Sequence, residues 1–103
     1  MATQFLNQSE PEGETEITKS LPFVKRRANG NLSYWIAPST GDFQTDRVIG
    51  EHYALRMIGY MLDTDDRDTF ELVMHEIGSG DVAYGFLHEI ADQLIQLNSP
   101  SQP

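Results

Sequence analysis

Three histidines and a run of carboxylates are the residues of this 103-residue chain whose types could do chemistry. His52, His75 and His88 each adjoin a glutamate, Glu51, Glu76 and Glu89, and His88 and Asp92 stand at i,i+4, a spacing at which two side chains can face one ion. The pattern stops short of a metal centre. His88-Glu89-Ile90-Ala91-Asp92 lacks the second histidine of a zincin helix, and adjacent residues of a helix point in different directions, so a His-Glu neighbour pair is not a shared site. The chain has no cysteine, which removes thiolate nucleophiles, disulfides and thiolate-bound zinc together. No Gly-x-Ser-x-Gly elbow and no glycine-rich nucleotide fingerprint occurs, and Gly78-Ser79-Gly80 reads as a helix break. The acids at 63–68 read as solvated caps, because an acid and base pair needs a cleft that a domain this small scarcely provides. The reading is a non-enzymatic protein with no metal and no cofactor.

A second chemistry is recognition. Four of the seven basic residues, Lys19, Lys25, Arg26 and Arg27, lie in one short segment beside Phe23, Tyr34 and Trp35, within a chain of net charge −9. Positive charge beside aromatic faces suits single-stranded nucleic acid, phosphates meeting Lys and Arg while bases stack on Tyr or Trp. The same residues also make ordinary cross-strand pairs, including cation–π contacts. The acidic remainder opposes general attraction to nucleic acid, which is therefore disfavoured against an acidic protein surface. Lys25, Arg26, Arg27, Tyr34 and Trp35 are the candidate contact residues. An acidic helical surface that imitates DNA and occupies a nucleic-acid-binding protein is a further alternative, since Arg67 is the last basic residue of the chain.

The elements that must position these groups follow from pattern. Glu10, Glu12, Glu14 and Glu16 around Pro11 and Gly13 mark 1–16 as a disordered acidic tail. Two β-prone runs, from Phe23-Val24 onward and Leu32 to Ile36, flank Asn29-Gly30, a hairpin signal. With those two residues as a type I′ turn, Arg27 faces Leu32, Lys25 faces Tyr34 and Phe23 faces Ile36. Alternation then sets Phe23, Lys25, Arg27, Leu32, Tyr34 and Ile36 on one face and Val24, Arg26, Ser33 and Trp35 on the other. After the breaker at 37–42, Thr45 or Asp42 can cap a central helix over about 46–62, with Gly50, Ala54 and Ile58 at a spacing that admits a close neighbour. Gly59 in its interior costs about 1 kcal/mol against Ala unless close packing offsets it. A short helix over about 67–77 buries Phe70, Val73, Met74 and Ile77, and Gly78 follows as its C′ residue. A third helix, capped by Asp81, runs to about 97 with an apolar stripe of Val82, Ala83, Phe86, Leu87, Ile90, Leu94 and Leu97. Met57, Met61 and Met74 read as gap fillers between helices.

Trp35-Ile36-Ala37-Pro38-Ser39-Thr40-Gly41-Asp42-Phe43, then Asp46, Gly50 and Tyr53-Ala54, resembles the middle of small proteins of unassigned function carried by bacterial phages, plasmids and integrative elements. Gly85-Phe86 is similar too. The resemblance implies a mobile-element setting in which small acidic proteins bind host machinery, and it brings no functional residue with it.

The fold expected is α+β: an N-terminal β-hairpin packed on a three-helix unit over 17–98, with 99–103 a disordered C-terminus. No apolar run approaches the ~20 residues that span a bilayer, so the expectation is a cytoplasmic protein without membrane contact. The expected role is a protein-binding module or modulator. A homodimer through the hairpin edge or the first long helix is expected as well, because a lone two-stranded sheet leaves unpaired edges.

Overall fold

A computed structural model describes residues 16–98, so all but the last residue of the tail expected over 1–16, and the C-terminus over 99–103, lie outside the described residues. Glu16, assigned to the tail by composition, instead opens a short helix, α1 (Glu16–Ser20). Strands β1 (Lys25–Arg26) and β2 (Leu32–Ser33) follow, then α2 (Phe43–Thr64), α3 (Arg67–Glu76) and α4 (Asp81–Asn98). The α+β class and the hairpin followed by helices are as the pattern implies.

Helix α2 begins where Asp42 accepts a hydrogen bond from the Thr45 N–H at 2.9 Å, and ends at Asp65, whose φ of 62° is left-handed and whose N–H donates to the Met61 carbonyl. Its length lets it cross α4 with small residues at the contact. A Cβ on Gly50 would stand 2.0 Å from the Val82 carbonyl oxygen, and one on Gly85 would stand 2.1 Å from the Arg47 carbonyl oxygen. Each helix therefore supplies one glycine so that the other's backbone can approach. Ala54 and Met57 of α2 and Phe86 of α4 are fully buried around this crossing, joined by Val73 of α3 and by Leu21, Phe23 and Val24 of the segment after α1. Side chains of this size stabilise by about 1.5–3 kcal/mol each when fully removed from water. No such packing covers Gly59, where a Cβ would meet nothing within 4 Å.

The hairpin differs from the expected register by one residue. Lys25 pairs with Ser33 and Arg26 with Leu32. The turn explains the slip. Among these residues only Gly30 has a positive φ, 93°, whereas a type I′ turn needs it at Asn29 as well. Asn29 uses its Oδ1 to accept from the Asn31 N–H at 3.0 Å, and the Arg27 N–H donates to the Asn31 carbonyl at 2.7 Å, which closes a three-residue loop with glycine in the left-handed position. The expected two faces fail with the register. Phe23 and Val24 are consecutive yet both fully buried, because the chain turns at Leu21 to Val24, where the Val24 N–H donates to the Leu21 carbonyl, rather than running on as a strand. Gly78 does follow the C-cap Ile77 of α3, but the positive φ lies at Gly80, immediately before α4.

The glycine crossing is testable by adding one carbon. Gly50→Ala and Gly85→Ala force backbone atoms apart, and each is expected to lower stability by about 3 kcal/mol, near the upper end for overpacking, as read from the urea midpoint. Gly59→Ala, a change of the same size in the same helix as Gly50, is expected to leave the midpoint unchanged or raise it.

Candidate interaction site

The five candidate contact residues do not form one exposed surface. Trp35 is partly buried in an aromatic cluster, its ring centroid 5.3 Å from that of Phe23, 5.0 Å from Phe86 and 6.3 Å from Tyr53. These are edge and tilted contacts of the kind that adds to area burial. Tyr34 is partly buried as well, and its backbone N–H donates to Glu76 Oε1 at 2.9 Å, which ties the exit of the hairpin to α3. Lys25, Arg26 and Arg27 remain exposed. Arg26 donates to the Gly30 carbonyl at 2.6 Å and Arg27 to the Ser33 hydroxyl, so two of the three bases brace their own hairpin. The positive charge faces water while the two large aromatic rings serve the core.

The breaker at 37–42 has a role that composition alone does not disclose. Asp46, in the first turn of α2, is 1% exposed. It accepts from the Ser39 hydroxyl at 2.6 Å, from the Thr40 N–H at 2.9 Å and from the Thr40 hydroxyl at 2.7 Å. The loop is thereby strapped back onto the helix that it introduces. Those donors, Ser39 first, hold the Asp46 carboxyl below its ordinary range, and the Thr45 hydroxyl and N–H do the same for Asp42. A similar arrangement caps α3, where Asp66 accepts from the Thr69 hydroxyl at 2.6 Å, the Tyr60 hydroxyl at 2.6 Å and the Thr69 N–H at 3.0 Å and is likewise held low. Burial, then the Asp66 carboxylate, pushes the Tyr60 phenol up. These carboxylates are engaged by donors of their own chain, two at Asp42 and three each at Asp46 and Asp66.

The histidines do not converge. His52, His75 and His88 are exposed on three different helices, and among the described residues no three His, Asp or Glu side chains are grouped as ligands. His88 lies against Tyr84 in a tilted contact with centroids 4.3 Å apart, and Tyr84 carries the Arg47 guanidinium 4.1 Å above its ring, so these side chains form a surface row among themselves.

What the pattern did not anticipate is an uncovered apolar groove. Of the stripe expected to bury along α4, Val82, Ala83 and Phe86 do so, but Leu94 is 60% and Leu97 82% exposed. The last two turns of α4 extend past the core. With Ile58 and Met61 of α2 and Phe70 of α3, the residues Ile90, Gln93, Leu94 and Leu97 line a depression of about 270 Å³. The signal was present in the sequence, since a stripe of seven apolar positions is longer than a domain this small can cover. No charged side chain lines the depression, while the stretch of sequence that builds it is mainly acidic: beyond Arg56 the chain has one Lys or Arg, Arg67, against acids that include Asp65, Asp68, Glu71, Glu89 and Asp92.

Comparison with protein-family models, curated proteins and solved structures finds no match. No helix of the described residues is long and apolar enough to cross a membrane.

The strap at Asp46 predicts an acid limit. Its carboxyl, like those of Asp42 and Asp66, has a folded pKa below the ordinary 3.8. Its contribution is complete above that value and is lost as pH falls through the lower folded pKa. Asp46→Asn is expected to lower the urea midpoint near neutral pH and to flatten the fall in stability that the parent chain shows below about pH 4. Parallel midpoints at the two pH values read the difference.

Proposed function

We propose that the chain is a non-enzymatic protein-binding module, in which the hairpin and the three long helices act as one scaffold that presents the groove of α2, α3 and α4 to a partner. The observation that carries this reading is the exposed end of α4. A lining that is apolar but for Gln93, on an otherwise acidic protein, is what a docked helix uses, laying its own apolar face into the groove. The partner fitted to it is an apolar segment flanked by Lys or Arg, because the surrounding acids steer and orient positive charge. Binding of host machinery by a small mobile-element protein is in keeping with such a surface.

The basic hairpin is a weaker support for a partner. Its exposed bases suit an acidic protein or a phosphate backbone, but the ring of Trp35 is engaged by Phe23 and Phe86 and offers no free stacking platform. Nucleic-acid binding therefore stays the disfavoured alternative.

Two synthetic helices of equal length, one built from Leu and Lys and one from Leu and Glu, separate the readings. The Leu/Lys helix is expected to bind the full chain, shifting the amide signals of Ile58, Met61, Phe70 and Ile90, and the Leu/Glu helix is not. Leu94→Ser with Leu97→Ser removes apolar surface without changing charge and is expected to weaken the Leu/Lys helix by about tenfold or more, the loss of roughly 1.4 kcal/mol or more of apolar contact. Unchanged affinity in that variant would reduce the interaction to charge alone and overturn the reading.

A further inference from the structure

We propose that two copies of the chain pair through the outer face of α2, antiparallel, about a two-fold axis at Gly59. This inference uses a different face of α2 from the groove and does not rest on the reading above. Gly59 sits in the interior of a 22-residue helix, is exposed, and has no heavy atom within 4 Å of where its Cβ would be. Nothing among the described residues accounts for the missing side chain, in contrast to Gly50, whose absent Cβ is filled by α4. A glycine on an outer helical face is what close approach of another backbone requires.

The residues around it are self-complementary. Leu55 and Leu62, one turn to either side, are 46% and 81% exposed. Two depressions, of about 330 and 360 Å³, adjoin along this face and share Leu55 and Arg56. An axis at Gly59 sets each residue opposite the one equally far beyond it, so Arg56 faces Leu62 of the second copy and lies one residue from the second copy's Asp63. One residue is a rise of about 1.5 Å, well within the reach of an arginine side chain. Two-fold symmetry makes that pair twice. Arg56 uses its Nε to donate to the Ser20 carbonyl at 3.3 Å, which holds the side chain along this face and, among the described residues, leaves its terminal nitrogens for the pair. Exposed pairs of this kind fix register and orientation, while Leu55 and Leu62 supply the apolar contact. The groove on α4 lacks this property, because no charged side chain lines it to make such a pair.

Sedimentation equilibrium on the full chain tests the pairing. The parent chain is expected to dimerise reversibly, and Arg56→Asp or Asp63→Arg alone, each of which places like charges across the axis, is expected to raise the dissociation constant by about tenfold or more. The double variant Arg56→Asp with Asp63→Arg restores opposite charges and is expected to recover the parent affinity to within about threefold. Gly59→Leu is expected to give a monomer with an unchanged helical circular dichroism spectrum, since the single chain has open space at that position. A parent chain that stays monomeric up to a dissociation constant of about 1 mM would overturn the proposal. So would a double variant no tighter than the single ones, or a dimer that persists in Gly59→Leu but is lost in the Leu94→Ser, Leu97→Ser variant.

Discussion

The crossing of α2 over α4 is the constraint from which the rest of the structure follows. With Gly50 against the Val82 carbonyl and Gly85 against the Arg47 carbonyl, the two helices meet backbone to backbone. That proximity leaves no side-chain layer between them at the crossing. Apolar side chains accumulate on either side instead, Tyr53, Ala54 and Met57 from one helix and Phe86 and Ile90 from the other. The segment after α1 and the hairpin fill what remains, with Phe23 making ring contacts to Trp35, Tyr53 and Phe86 at 5.1–5.7 Å.

Charge separation is a consequence of that packing. Because Phe23 and Trp35 are drawn into the cluster, the side chains left outside the hairpin are Lys25, Arg26 and Arg27, and two of them close the hairpin on itself. The helices place most of their acids outward in the same way, the buried Asp46 apart. Glu76 joins the two regions, accepting the Tyr34 N–H and so satisfying a backbone group at the edge of a very short sheet. The positive and negative halves of the chain are thus outer layers of one core, and two surfaces lack an internal use: the apolar end of α4 and the mixed face of α2 around Gly59, where Leu55 and Leu62 stand beside Arg56 and Asp63.

Helix existence was legible because it rests on local signals. Asp42, Asp66 and Asp81 precede apolar periodicity, and the helices begin at or within a residue of them. The small-residue spacing at Gly50 and Ala54 also announced a close neighbour, though not that Gly85 would be its counterpart. What failed in the hairpin was the assumption that Asn29-Gly30 sets a two-residue turn, when the competing three-residue loop needs only one positive φ and gains the Asn29 side-chain bond. The aromatic roles were not legible, since whether Trp35 faces a partner or a core depends on distant Tyr53 and Phe86. Asp46 went unread for a related reason: a carboxylate in a first helical turn looks like a solvated dipole partner, and only the return of Ser39 and Thr40 makes it a buried strap.

One helix, α4, accordingly has two parts, a first half locked in the crossing and a last half presented to solvent. Native-state hydrogen exchange measures that division most directly. Amides of residues 50–57 and 83–87 are expected to exchange only through global unfolding, while those of 93–97 exchange through local fraying, faster by about 100-fold or more. Equal protection along the whole of α4 would mean that its end is covered in the free protein, and would contradict the account of an open docking surface.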